Sequence, residues 1–303
     1  ILHHSSLSTA RRLGRLKKTC NEETMNGAEL LVSTLAEGGV EICFANAGTT
    51  EIPLVLALDK EHRIRTILGL FEGVCTGAAD GYGRLLGKPA MTLLHLGPGF
   101  ANSIANLHNA RRASTPLINI IGQHASWHID ADAPLTMEIE GLARSVSRWV
   151  KTASSSDELA ADAERVLFEA SRGRIASLIV PADIQWSPSA LVPERVLNRH
   201  DESGDHQSVK DAVRLLAKSA KSAIILGREA LRKEGLELAA IIADTAGCDL
   251  LAESFPGYID RGEGCADVTR IPYFPEPARE LLSQYGILVL AGAHDPVTFF
   301  GYP

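Results

Sequence analysis

The chain has 303 residues, of which 45% are hydrophobic and 22% charged, and its formal net charge is −7. This composition excludes disordered, collagen-like and disulfide-scaffold proteins, and the length predicts two domains. From residue 25 onward the chain carries 25 basic against 35 acidic side chains, which argues against a nucleic-acid partner. No apolar run approaches the ~20 residues that a membrane span needs, so no membrane partner is expected.

The five cysteines are odd in number and widely spaced, without a CxxC pair. They therefore indicate neither a zinc knuckle nor a redox pair, and they fit a reducing cytoplasm. The basic stretch of residues 1–24 is interpreted either as an organellar presequence or as a lead before a start at Met25. An organellar matrix is expected only in the first case, and in both cases we exclude this stretch from the fold.

Short apolar runs alternate with helical stretches from Met25 onward. Strands are predicted at 41–46, 65–70, 89–96, 116–122 and 176–180, and helices at 27–38, 51–60, 73–86, 101–112 and 157–171. Strands of about six residues between helices of about ten or more predict βαβ units and a parallel sheet.

A stretch with Pro, Ser and weak periodicity follows Trp186, and it predicts a linker over residues 191–205. Beyond it the alternation restarts, with helices predicted at 208–218, 231–246 and 277–285 and strands at 222–226, 249–253 and 287–291. The predicted fold class is therefore α/β, with two doubly wound parallel-sheet domains at residues 25–190 and 206–303.

Two polar residues follow strands of the first predicted domain. Glu72 precedes a helix rich in small residues, where a carboxylate is either a helix N-terminal acid favoured by the macrodipole or a functional group. His95 ends a strand beside a Gly-rich turn at residues 97–102. It is either a buried core histidine or a ligand-facing one, because ligands bind outside the carboxyl ends of parallel strands. The glycines of the turn would let a phosphate or cofactor approach backbone amides at the start of a helix.

His124 and His128 lie four residues apart, with Asp130 and Asp132 nearby. A metal site would need the helical spacing to apply, whereas the segment follows a strand and is predicted to be a loop. No metal site is therefore predicted.

Four ordered motifs resemble the N-terminal part of the thiamine-diphosphate-dependent enzymes, the superfamily of acetolactate synthase, pyruvate oxidase and benzoylformate decarboxylase. The motifs are Phe-Ala-Asn-Ala-Gly-Thr-Thr-Glu at 44–51, Glu72 with Ala-Asp-Gly-Tyr-Gly-Arg at 79–84, the turn at 97–102, and residues 115–123. The resemblance spans residues 25–303 and is greatest to the acetolactate synthase large-subunit-like branch.

This resemblance implies that residues 25–190 form the domain that binds the cofactor's pyrimidine. Glu72 would hydrogen-bond N1′ of the aminopyrimidine and favour the tautomer that removes the C2 proton of the thiazolium. The ylide so formed would decarboxylate a 2-oxo acid and join it to an acceptor. The other cofactor contacts that the resemblance implies are Ala47, Gly48, Pro98 and Asn102.

His95 occupies the place of a proton-transferring histidine in benzoylformate decarboxylase, and Thr49 that of a serine contacting the substrate. These two residues favour a 2-oxo-acid decarboxylase, whereas the wider sequence is similar to the synthases, and both alternatives stay open. Ala47 also departs from the proline usual in its turn.

The superfamily's third domain binds the diphosphate through Mg²⁺ with a Gly-Asp-Gly…Asn pattern, which this sequence does not contain. The resemblance implies Mg²⁺ ligands outside this chain, supplied by a diphosphate-binding domain in trans or a second copy, and a homodimer or tetramer. Residues 206–303 resemble the central domain that holds FAD in some relatives, but only Gly227-Arg228 fits a flavin site, which weakens the expectation of FAD. The chain alone is expected to be inactive. A non-catalytic paralogue that regulates or binds a partner is the alternative from another class.

Overall fold

The computed structural model describes residues 24–191, 205–218 and 221–301. The predicted lead and the predicted linker therefore lie almost entirely outside the described residues. Two compact units are formed, the first by residues 24–191 apart from the turn at 112–114, and the second by residues 205–301.

The first unit is a six-stranded parallel sheet with helices on both faces. Its helices are α1 (Gly27–Glu37), α2 (Ile52–Lys60), α3 (Glu72–Leu86), α4 (Leu96–Arg112), α5 (Ile139–Val146), α6 (Leu159–Ala170) and α7 (Ala182–Trp186). Its strands are β1 (Ile42–Asn46), β2 (Arg65–Leu68), β3 (Ala90–Leu94), β4 (Leu117–Gln123), β5 (Trp149–Thr152) and β6 (Ile175–Pro181). The strand order is β2-β1-β3-β4-β6-β5. Because the order reverses between β1 and β3, the sheet is doubly wound.

Alternation along the central strands builds two apolar cores. Met91 and Leu93 of β3 face a cluster shared with α1, α2 and α6, whereas Ala90 and Leu94 face a cluster shared with α3, α4 and α5. The strands β3, β4 and β6 are buried along their whole length. That burial explains their near-continuous apolar sequences, which are typical of parallel sheets covered on both faces.

A ladder of hydrogen bonds crosses the buried centre of this sheet. The Thr92 hydroxyl donates to Asn119 Oδ1 at 2.8 Å, Asn119 Nδ2 donates to Ser177 Oγ at 3.0 Å, and Ser177 Oγ meets Ser147 Oγ at 2.7 Å. Each polar group is thereby satisfied, which offsets the cost of removing it from water.

The second unit is a four-stranded parallel sheet with helices α8 (His206–Lys218), α9 (Lys233–Ala246) and α10 (Pro275–Leu282). Its strands are β7 (Ser222–Leu226), β8 (Asp249–Ala252), β9 (Thr269–Arg270) and β10 (Ile287–Ala291), in the order β10-β7-β8-β9. The predicted fold class, two doubly wound parallel sheets, is confirmed. Across the described ranges, no helix combines the length and the apolar character needed to cross a bilayer.

One local prediction was wrong, and some elements were missed. The helix predicted from residue 101 begins at Leu96, so the residues predicted as a Gly-rich turn form the first turns of α4. Pro98 is tolerated there because the first-turn N–H groups have no helical acceptor. The helix α5 and the strand β5 were not predicted at all, because a half-buried strand of only four residues carries little periodic signal.

Candidate active site

The candidate site lies at the carboxyl edge of the first sheet, where the strand order reverses. Loops leave β1 and β3 in opposite directions at this point, which is where open α/β sheets bind their ligands. Glu72 begins α3 after β2, and His95 directly follows β3. The fold therefore brings together both residues that the sequence predicted to be catalytic.

Glu72 is the first residue of α3 and its side chain is buried. Its position suits a carboxylate, because the helix N-terminus carries partial positive charge. Asn102 Nδ2 on α4 donates to Glu72 Oε2 at 3.0 Å. Glu72 Oε1 lies above Gly99, where a Cβ would approach it to 2.7 Å. Among the described residues no donor reaches Oε1, so one carboxylate oxygen remains free to bind a ligand.

Three residues after Glu72 lies Cys75. Burial raises the pKa of its thiol, to which the nearby Glu72 carboxylate adds a smaller contribution. The side chain is therefore a neutral thiol that packs beside the site, not a thiolate nucleophile.

His95 is held by two contacts. Its ring packs directly on Gly48, where any Cβ would overlap it. Its Nδ1 lies 2.7 Å from Glu51 Oε2, and about a quarter of the side chain (26%) is exposed. Leu96, the next residue, has a left-handed φ of 51°, a strained conformation for a non-glycine residue that fixes the turn into α4.

The residue that sequence analysis missed is Glu51. Its side chain is completely buried and accepts hydrogen bonds from Gly48 N at 2.7 Å and Thr50 Oγ1 at 2.6 Å, besides the contact with His95. Behind it lies Gly122 of β4, where a Cβ would collide with Oε1. The available signal was an acid three residues after Gly48, at the start of an apolar helix.

The remaining predicted residues border the site. Ala47 is partly buried against the core, Pro98 is half-buried in the first turn of α4, and Thr49 is exposed in a short 3-10 helix, Thr49–Glu51. The hydroxyl that contacts Glu51 belongs to Thr50, which also lies 3.4 Å from His95 Nδ1. A substrate contact by Thr49 stays a prediction.

His124 directly follows β4, and His128 lies within a further 3-10 segment, Ser126–Ala131. Their ring centroids are 5.8 Å apart in an edge-on arrangement, and Trp127 packs edge-on against His128 at 5.5 Å. Within the described residues, no three or more His, Cys, Asp or Glu side chains are grouped to hold a metal ion.

In the second unit, Gly227-Arg228 follows β7. A Cβ on Gly227 would approach the Ala293 backbone to 2.6 Å, and Arg228 Nη2 lies 3.1 Å from His294 Nε2. The glycine thus serves close backbone packing between two loops of this unit.

Thiamine diphosphate fits the first unit's site by the chemistry of its donors. A carboxylate with one free oxygen is suited to a protonated ring nitrogen, and the space above Gly99 would be closed by any side chain. Glu72 would hold the ring through that oxygen, with Asn102 fixing the other oxygen.

Comparison with known proteins agrees with this geometry. Residues 25–143 match the family model of the thiamine pyrophosphate enzyme N-terminal TPP binding domain. A Mycobacterium tuberculosis protein, provisionally named acetolactate synthase large subunit IlvX, is 45% identical over 92% of this chain and 54% of its own length. The chloroplastic acetolactate synthase of Arabidopsis thaliana is 29% identical over 68% of this chain and 32% of its own length.

Two solved structures share the fold. The thiamine diphosphate-dependent 4-hydroxybenzoylformate decarboxylase of Rhodococcus jostii RHA1 superimposes with a TM-score of 0.75 at 20% identity, covering 90% of this chain and 54% of that chain. A Mycobacterium smegmatis protein, described as a candidate thiamin diphosphate-dependent enzyme, gives 0.78 at 23% identity, covering 92% of this chain and 54% of that chain. This chain thus spans about half the length of these proteins.

Fold, site and family match together define the class: residues 25–143 carry the N-terminal TPP binding domain of the thiamine pyrophosphate enzymes, as the sequence motifs predicted. The homologues of this chain include proteins named as acetolactate synthases.

Proposed function

We propose that this chain forms the pyrimidine-binding and central domains of an acetolactate-synthase-like enzyme that acts on 2-oxo acids. The observation that carries the proposal is the Glu72 carboxylate, fixed by Asn102 and open above Gly99. Glu72, Gly99 and Asn102 all lie in the region that matches the TPP-binding domain.

The roles proposed for the site residues follow from their contacts. When bound, thiamine diphosphate supplies the electron sink for decarboxylation and carboligation. Glu72 would hold a proton between its Oε1 and the pyrimidine nitrogen, at a helix N-terminus that favours the carboxylate. His95, which is partly exposed next to Gly99, would transfer a proton at the substrate. Mg²⁺ and the diphosphate would be held by groups outside this chain, in a diphosphate-binding domain of the complete protein or of a second copy.

Calorimetric titration of thiamine diphosphate with Mg²⁺ tests the binding step. Wild type is compared with Glu72→Gln, and Glu29→Gln, which changes a first-turn glutamate of α1 away from the site, is the matched control. Loss of a charge-assisted hydrogen bond should weaken binding by about 10- to 100-fold in the first variant only. Equal affinities in all three proteins would refute the proposed role of Glu72.

A simple 2-oxo-acid decarboxylase of the benzoylformate decarboxylase type is the second candidate. The observation that favours it is the contact of the partly exposed His95 with the buried Glu51 carboxylate, an arrangement suited to proton transfer. Release of CO₂ from pyruvate and from benzoylformate by the complete protein, with analysis of the products, separates the two. Acetolactate would favour the synthase, whereas aldehyde alone would favour the decarboxylase.

We also propose that an apolar surface beside Glu72 binds a second copy of the chain. Leu70, Phe71 and Val74 flank the carboxylate, and their exposed fractions are 91%, 48% and 60%. Exposed apolar groups clustered around a functional residue are typical of an interface. This surface would equally serve a non-catalytic paralogue, so detectable cofactor binding is what separates an enzyme from a pure binding partner.

A further inference from the structure

Glu51 is a fully buried carboxylate, and its environment determines its charge. Removing a carboxylate from water is costly unless donors replace the lost hydration. Gly48 N–H and the Thr50 hydroxyl both donate to it, at 2.7 and 2.6 Å. The backbone donor is permanent, because a peptide N–H cannot accept a hydrogen bond. Two donors besides the histidine favour the ionised form of Glu51, which can only accept.

The charge of Glu51 then decides the tautomer of His95. Nδ1 lies 2.7 Å from Glu51 Oε2, so an accepting carboxylate requires that Nδ1 carry the hydrogen. A neutral imidazole has only one ring hydrogen, which leaves Nε2 with a free lone pair. The position of the hydrogen follows from this network of donors.

Two glycines prevent this pair from rearranging. The His95 ring rests on Gly48, and the Glu51 carboxylate rests on Gly122 of the neighbouring strand β4. Rotating either side chain would break at least one of the three hydrogen bonds to a buried group. The geometry therefore maintains one orientation and one tautomer.

We infer that Glu51 is the positioning residue for His95: it holds Nδ1–H and keeps Nε2 free to take up and return a proton at the substrate. This inference rests on the proposed function, in which His95 is the proton-transferring group. Glu51 itself does not touch the substrate in this scheme. Its carboxylate also stabilises the imidazolium that forms when Nε2 is protonated.

The direct test is NMR of the folded chain with ¹⁵N-labelled histidine, which shows which ring nitrogen of His95 carries the hydrogen. Assignment uses His95→Gln. Wild type should show hydrogen on Nδ1 and none on Nε2. A wild-type His95 with its single hydrogen on Nε2 would overturn the inference, whether or not any variant folds.

Glu51→Ala adds a second test. Gly48 N–H and His95 Nδ1 both meet Oε2 of Glu51, so this substitution removes the acceptor that holds the hydrogen on Nδ1. The hydrogen should then appear on Nε2. Glu169→Ala is the matched control, because Glu169 is equally a buried carboxylate but pairs with Arg165 and Arg174 at 2.6 and 2.8 Å. An unchanged His95 tautomer in folded Glu51→Ala would contradict the inference.

Kinetics of CO₂ release by the complete protein separate this inference from the proposed function. Glu51→Ala should lower kcat by about 10²- to 10⁴-fold with little change in KM, as expected for lost acid–base catalysis, and Glu51→Asp should recover part of it. Unchanged kcat in His95→Gln would refute the proposed role of His95. The tautomer of His95 is measured independently by NMR and would not be affected by that outcome. Loss of kcat in His95→Gln but not in Glu51→Ala would refute only the positioning role.

Discussion

Glu72 and His95 both lie next to Gly99: a Cβ on Gly99 would lie 2.7 Å from Glu72 Oε1 and 3.3 Å from the Cβ of His95. The carboxylate comes from the start of α3 and the imidazole from the end of β3, so neither element alone forms the site. The absence of a side chain at residue 99 leaves room for a ligand to lie against both groups.

Gly99→Ala should therefore weaken thiamine diphosphate binding while leaving the fold intact. The added methyl group displaces the end of a flexible side chain, Glu72, which costs little stability but moves the carboxylate that we propose binds the cofactor. We expect about tenfold weaker binding by calorimetry, equivalent to one hydrogen bond of about 1.4 kcal/mol. Gly81→Ala is the control, because a Cβ there meets nothing within 4 Å. It should raise stability by up to about 1 kcal/mol without changing affinity.

Asn119→Ala should destabilise the first unit through its buried polar ladder. The substitution removes the acceptor of the Thr92 hydroxyl and the donor to Ser177, both buried between strands. Unsatisfied buried groups cost about 1–3 kcal/mol each, so a loss of about 2–4 kcal/mol is expected from urea unfolding followed by far-UV circular dichroism.

The control for this ladder is Thr66→Ala on the exposed part of β2. The Thr66 side chain lies at the surface, so the free energy of unfolding of this variant should differ from that of wild type by less than about 0.5 kcal/mol. If Asn119→Ala unfolded at the same urea concentration as this control, the ladder would contribute no stability.

Much of the fold could be predicted from local pattern. The apolar runs that became β3, β4 and β6 are continuous because both faces of those strands are covered, and such runs between helices can only form a parallel sheet. The start of α4 could not be predicted, because it depends on the left-handed backbone conformation of Leu96. Leucine has no intrinsic preference for that conformation. A short element such as β5 forms only because it pairs with the neighbouring strand β6.

The site was predictable where one residue's own position carried the signal. Glu72 follows a strand and starts a helix, and the family resemblance adds its role. Glu51 escaped because its partner His95 lies 44 residues away, and nothing in the spacing shows that the two will meet. The roles predicted for Ala47 and Pro98 as cofactor contacts stay predictions.

Cysteine alkylation should report on the integrity of both cores. Burial raises the pKa of the Cys43 and Cys75 thiols, and the thiolate is the reactive form, so both should resist iodoacetamide as pH rises to about 9. Cys265 is more accessible and should be modified first among the cysteines of the described residues. Mass spectrometry of tryptic peptides measures the order. Rapid modification of Cys43 in folded protein would contradict the packing of β1 against α1 and α2.

Substituting the apolar surface beside Glu72 should weaken self-association. Leu70→Asp with Val74→Asp places two charges among exposed apolar groups, where burial against a second copy would be costly. We expect sedimentation to shift from a dimer or larger species toward monomer, with unchanged circular dichroism because neither side chain belongs to the core. Phe168→Ser is the control: this exposed ring on α6 is already covered by Arg165 and Arg172, at 5.3 and 5.4 Å from its centroid. An equal shift in the control, or none in the double variant, would assign the contact between copies to another surface.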